Sequence, residues 1–177
     1  MKSINILLLL VLFSTSSHSI ENTNSIKQAE HASKLFFSVC VPSEGNVQNI
    51  KTAVKPFNMQ FMNARATQHF VGSSTASAWL QNKYDGSYIV SLDKGVCTVM
   101  SRFNDKEHLL SLVNDFLPNG EGGYTTKKVD TKNSGYLTTI SYLITAKDGR
   151  NYRVVVSSSD QPKIKLQGMI SYQRVNH

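Results

Sequence analysis

Cysteine is scarce in this chain: Cys40 and Cys97 are the only two, and neither belongs to a C-x-x-C pair. Two thiolates alone make a poor zinc site, so a cysteine-built metal centre is not expected. Tryptophan occurs once, at Trp79, and reads as a core anchor rather than a stacking platform. After residue 19 no long apolar run remains, so the rest of the chain is not expected to span a membrane. The common catalytic spacings are missing as well. There is no G-x-S-x-G, no H-E-x-x-H and no G-x-x-x-x-G-K. Ser91-Leu92-Asp93-Lys94 fits S-x-x-K, but that chemistry needs a helix, and this stretch reads as a strand end before a glycine turn. Asp130-Thr131-Lys132-Asn133 opens like a calcium loop, yet a lysine occupies the third ligand position and no distal glutamate follows. His31, His69, His108 and His177 follow residue 19. Glu30-His31 and Glu107-His108 are sequence neighbours on helices and do not face one another. No catalytic residue, metal site or cofactor is assigned, and the chain reads as non-enzymatic.

The one long apolar run comes first. Lys2 gives a positive start, Ile6 to Phe13 is uninterrupted, and Ser17-His18-Ser19 offers small residues for a signal peptidase. Residues 1–19 are therefore expected to be a secretory signal, cut after Ser19, with export to the periplasm or beyond the cell. No cysteine follows the cut, so a lipid-modified start is not indicated. Residues 20–177 suit a single domain with an adequate core. In an oxidising compartment two thiols pair, so Cys40 and Cys97 are expected to form a disulfide. It would close a loop of 57 residues, a constraint of about 4 kcal/mol. A cysteine nucleophile would need the free thiol that such a bond removes. Once Lys2 leaves, 18 basic residues face 12 acidic ones, a net +6. The excess is larger from Val99 onward, with 11 Lys and Arg against 7 Asp and Glu.

Periodicity divides the rest. Ile26, Ala29, Ser33, Phe36 and Cys40 recur every three or four residues and predict a helix from Ser25 to about Val41-Pro42, after a loose stretch at 20–24. Asn46 caps a short helix that Pro56 stops, and 63–68 favours one or two more turns. Strands then follow at 76–84, 87–92 and 96–103, with turns at Asp85-Gly86 and Lys94-Gly95. Asn104 and Glu107 open a helix with Leu109, Leu110, Val113, Phe116 and Leu117 as its stripe. Strands at 124–129, 135–145, 152–156 and about 163–173 complete the chain. The expected class is α+β: an antiparallel sheet of two meander or hairpin halves, about six to seven strands, packed against three to four helices.

Cations gather in the later strands. Lys127, Lys128 and Lys132 precede the long strand, Lys147, Arg150 and Arg153 surround the Asp148-Gly149 tip, and Lys163 and Lys165 share a strand face. In one sheet these eight could line one side, interleaved with Tyr124, Tyr136 and Tyr152. Such a surface suits an anionic phospholipid or glycan, or a host or envelope protein; nucleic acid is the least favoured partner. Lysines on sheet edges also guard against aggregation with no ligand at all. The chain is expected to be a monomer.

Phe36-Phe37-Ser38-Val39-Cys40-Val41, Gly45-Asn46, Trp79 and Gly95-Val96-Cys97 together form a further pattern. It resembles a family of small exported proteins and lipoproteins of Gram-negative bacteria without assigned function. The resemblance implies export and paired cysteines, and it implies no catalytic residues. The resulting expectation is an exported binding protein for an anionic host or envelope ligand, acting as a secreted effector if its producer is a pathogen. A hydrolase with an unrecognised site, and an inhibitor or chaperone of another exported protein, are the alternatives.

Overall fold

The computed structural model describes residues 17–84, 86–161 and 166–175. The leader expected at 1–19 lies almost wholly outside them. Helix α1 runs Ser17–Leu35 and continues through a π-helical turn, Phe36–Cys40, into a last turn, α2, Val41–Ser43. The helix thus starts earlier than the periodicity of 25–40 predicts, and 20–24 is helical rather than loose. The π turn ends two residues before Pro42, whose ring does not fit a regular helical ladder. Ala29, Ala32, Leu35, Phe36, Val39 and Cys40 are all buried. Helix α3, Val47–Ala53, is capped by the Asn46 side chain, which accepts from Gln48 N at 2.8 Å. Helix α4 is Ala64–Val71, capped by Asn63, and α5 is Lys106–Phe116. The cap of α5 is Asp105, which accepts from His108 N at 2.9 Å. Asn104, the expected cap, is buried and bonds to strands instead.

The strands are β1 Gln60–Phe61, β2 Ser77–Lys83, β3 Gly86–Asp93, β4 Val96–Ser101, β5 Tyr124–Ser134, β6 Leu137–Ala146, β7 Asn151–Ser159 and β8 Gly168–Val175. They form one antiparallel sheet in the order β1-β2-β3-β4-β8-β7-β6-β5. The class is α+β as expected, built from two meanders, but with eight strands rather than six to seven. The additional one is β1, two residues long and invisible to any periodicity argument. Several boundaries also differ: β4 stops at Ser101, β7 runs Asn151–Ser159, and β8 opens at Gly168, with 166–167 outside it. Lys83 pairs with Gly86, so the turn lies one residue before Asp85-Gly86. Residues 130–134, expected to be a loop, extend β5 to Ser134. Lys94-Gly95 is the turn expected, with both residues at positive φ, which matches the twist of a tight hairpin.

One face of the sheet carries the main core. Trp79, Tyr88, Val90, Val99, Tyr142, Val154, Val156, Ile170 and Tyr172 meet α1 and α5 there. Each such side chain contributes roughly 1.5–3 kcal/mol by burial, against the entropy of ordering it. Among the described residues the other face is covered over the first meander alone, where Ala66 and Val71 of α4 meet Ala78, Leu80, Ile89 and Met100. A Cys40–Cys97 disulfide ties the π turn to β4, with Cα atoms 5.4 Å apart. Beside it Gly45 abuts the next turn: an added Cβ would stand 3.0 Å from the Gly95 carbonyl oxygen, and φ is +76°.

The meanders are fastened together by buried polar groups. Asn104 Nδ2 donates to Ser158 Oγ at 2.9 Å, Ser101 Oγ donates to Asn104 Oδ1 at 2.8 Å, and Asn104 N donates to Gln167 Oε1 at 3.2 Å. Gly168 passes beneath; a Cβ there would lie 1.7 Å from Asn104 Oδ1, so only glycine fits.

Candidate functional site: the open face of the second meander

Residues paired across neighbouring strands share a face, and successive residues alternate. Tyr142, Val154 and Tyr172 point to the helices, so Leu143, Arg153 and Gln173 point the opposite way. Lys127 sits opposite Leu143, Leu143 opposite Arg153, and Arg153 opposite Gln173. This row opens on Lys127 and has Arg153 two strands further in. A second row reads Asp130, Ser141, Val155, Ser171, Thr98 and a third Lys132, Thr139, Ser157, Met169, Met100. Lys127, Lys132 and Arg153 are exposed. Thr139 and Ser157 are hydrogen-bonded at 2.9 Å, and Thr98 and Ser171 at 3.0 Å. The open face is a sheet floor of hydroxyls with Leu143 and Val155, bordered by three cations and by the Asp130 carboxylate.

A β-bulge makes that border. Lys127 and Lys132 are five residues apart, an odd spacing that sends side chains to opposite faces of a regular strand. The register shifts between Lys128 and Asp130, and the extra residue, Val129, brings Lys132 back to the face of Lys127. Lys128 pairs with Tyr142 and lies on the helix-side face. Lys132 Nζ stands 3.4 Å from Asp130, an exposed pair worth little in water.

Of the other expected cations, Lys128, Lys147 and Arg150 do not join them. Arg150 donates through Nε to Asp148 at 2.7 Å, reaches Glu44 at 3.4 Å, and stacks over the Tyr152 ring. Donation from the Arg150 backbone and then its guanidinium holds the Asp148 carboxyl below its usual range. Lys147 lies in the same β6–β7 turn, against Gly123. Lys163 and Lys165 lie outside the described residues. The tyrosines do not interleave with the cations: Tyr152 is buried and stacks on Tyr172 at 5.4 Å, Tyr124 packs against the helix-side core, and Tyr136 is exposed in the β5–β6 turn.

A second polar cluster, at the far end of the molecule, escaped sequence reading. Buried His31 is hydrogen-bonded through Nε2 to Gln81 Oε1 at 2.7 Å, and Gln81 Nε2 donates to the Phe57 carbonyl. The rings of Tyr88, Tyr84 and Phe57 meet His31 edge-on at 4.7, 5.7 and 6.2 Å. Gln28 Nε2 donates to Tyr84 O at 2.9 Å. Loss of water lowers the His31 pKa; the Gln81 hydrogen bond opposes this, and Lys83 and Lys34 add to it. Burial likewise raises the Tyr88 hydroxyl well above its usual range. The signal was present in the stripe: Gln28, His31 and Leu35 follow the same three-and-four spacing as the apolar residues. Two shallow clefts adjoin the cluster, about 410 Å³ along Asn82–Tyr84, Gly86 and Ser87, and about 260 Å³ between Asn58, Gln60 and Leu80–Asn82.

His108 faces Glu30 at 3.6 Å, and His69 packs on the Phe70 ring. Among the described residues, no three His, Cys, Asp or Glu side chains gather as a metal site would need. No described helix is long and apolar enough to cross a membrane. No family model, curated protein or solved structure matches this chain.

Proposed function

We propose that this chain is an exported, non-enzymatic binding protein that recognises an anionic ligand, a phospholipid or glycan of a host or an envelope, through the open face of β5 to β8. The observation that carries this reading is the placement of Lys127, Lys132 and Arg153, exposed together on the part of the sheet that no described helix covers. The Cys40–Cys97 bond supports export, because such bonds persist in oxidising compartments. The leader-like start and the resemblance to small exported proteins of Gram-negative bacteria support it further, and secretion as an effector follows if the producer is a pathogen.

The test is an array of anionic lipids and glycans probed with the oxidised, exported chain at two salt concentrations. Selective binding that weakens at high salt is expected, because exposed charges are screened within about 10 Å at 0.1 M salt. Exchanging Lys127, Lys132 and Arg153 for glutamate should abolish it. Binding that ignores both salt and these exchanges would remove the basic face from the account.

A further inference from the structure

The open face is neither a plain cationic patch nor an apolar one. Lys127 and Arg153 are two strands apart, roughly 10 Å between backbones, and Lys132 lies four ladder steps along from Lys127, roughly 13 Å. Between them lie the half-buried Ser141 hydroxyl and Leu143 side chain and the exposed Asp130 carboxylate, whose 3.4 Å contact with Lys132 an anionic ligand would have to displace. An acidic sugar has the complementary composition: anions at intervals, hydroxyls at the ring edge and a C–H face on the ring itself. A bilayer surface would ask for protruding apolar anchors beside the cations. Among the described residues no aromatic side chain stands on this face: Phe61 and Phe116 are on β1 and at the end of α5, Tyr136 is in the β5–β6 turn, and the face's own exposed apolar side chains, Leu137 and Met169, are only 39% and 37% exposed.

We infer that the ligand of this face is a linear acidic polysaccharide lying along the floor bounded by Lys127, Lys132 and Arg153. The inference rests on the anionic-ligand reading and narrows it to one class. Carboxylate or sulfate groups meet the three cations, ring hydroxyls meet Ser141 and its neighbours, and ring C–H groups lie on Leu143. Breadth of the site replaces a deep pocket, so affinity grows with chain length until the floor is filled.

The experiment compares heparin, poly-aspartate and phosphatidylcholine vesicles containing phosphatidylglycerol, each against the oxidised, exported chain. Three variants are used: Lys127→Gln with Lys132→Gln and Arg153→Gln, Ser141→Ala, and Leu143→Ser. Heparin should bind more tightly than poly-aspartate, and the triple charge variant should lose roughly tenfold or more through counterion release. Ser141→Ala and Leu143→Ser should each weaken heparin by a few-fold without changing poly-aspartate, since only a sugar uses the hydroxyl and the aliphatic floor. Equal binding of heparin and poly-aspartate, unaffected by these two variants, would overturn the sugar inference while leaving a basic face. Binding to the vesicles alone would also overturn it and would assign the face to lipid. No binding to any of the three, or binding indifferent to the charge variant, would overturn the parent reading as well.

Discussion

The two meanders have the same topology and very different surroundings. Each consists of four antiparallel strands, and their last strands, β4 and β8, meet at the centre of the sheet. The first is clothed on both sides: Tyr88, Val90 and Val99 face the helices, while Ala78, Ile89 and Met100 are roofed by α4. It is also the half that the disulfide holds. The second meander buries only one face, and its edge strand is exposed all along Lys127–Ser134. One half thus concentrates apolar contact and covalent constraint. The other half leaves a face over which no described helix packs.

The largest break in this contrast comes from the bond that anchors the covered half. Replacing Cys40 and Cys97 by alanine should lower unfolding stability by about 4 kcal/mol, read from urea transitions, with the slope of the transition showing whether both halves still unfold together. Asn104 joins the halves, and Asn104→Ala would remove the side-chain partners of the buried Ser101 and Ser158 hydroxyls while keeping the backbone N–H that Gln167 accepts from. A loss of about 2–3 kcal/mol is expected. Amide exchange would then be expected to quicken in β7 and β8 before β3; quickening in β3 first would show that the halves are not separable in this way.

A gentler test uses pH. The folded His31 is held below its ordinary pKa by loss of water, so the unfolded chain binds the proton more readily. Stability contributed by neutral His31 is complete above about pH 6.5 and declines as the pH falls below that value. Among the described residues the groups facing it, Lys34, Lys83, Tyr84 and Tyr88, add positive or hydroxyl neighbours and no carboxylate to offset the new charge. Melting temperatures between pH 7 and 5 should therefore fall less steeply for His31→Gln than for the native chain, and parallel curves would exclude His31 as the source. The smallest change is expected on the open face, where neutralising Lys127, Lys132 and Arg153 should alter stability by no more than about 0.5 kcal/mol.

Much of the architecture was legible. The helix stripe at Leu109, Leu110 and Val113, the Asn46 cap, the Lys94-Gly95 turn and the paired cysteines follow from spacing and chemistry that act within a few residues or have one available partner. The short β1 was not legible, because two residues carry no period. Nor was the role of Asn104, since a polar residue before a helix has two uses and only the neighbouring strands select between them. Of the eight candidate cations, charge alone marked all equally, yet Arg150 is tied to Asp148 and Glu44 while Lys128 is on the helix-side face. Burial of His31 depended on the tip of the β2–β3 hairpin, fifty residues away in sequence.

By itself, the sequence determined the class of fold, the order of most elements and the excess of positive charge in the later strands, because these depend on local period and on composition. The tertiary structure alone decided which charges stand together. Lys127 and Lys132 have an odd spacing that a regular strand would split between two faces; pairing with β6 produces the bulge at Val129 and reunites them. Whether that face stays open was decided by helix placement, since α4 is long enough to roof only the first meander. Both outcomes arise from contacts between segments distant in the chain, and no local pattern of residues encodes them.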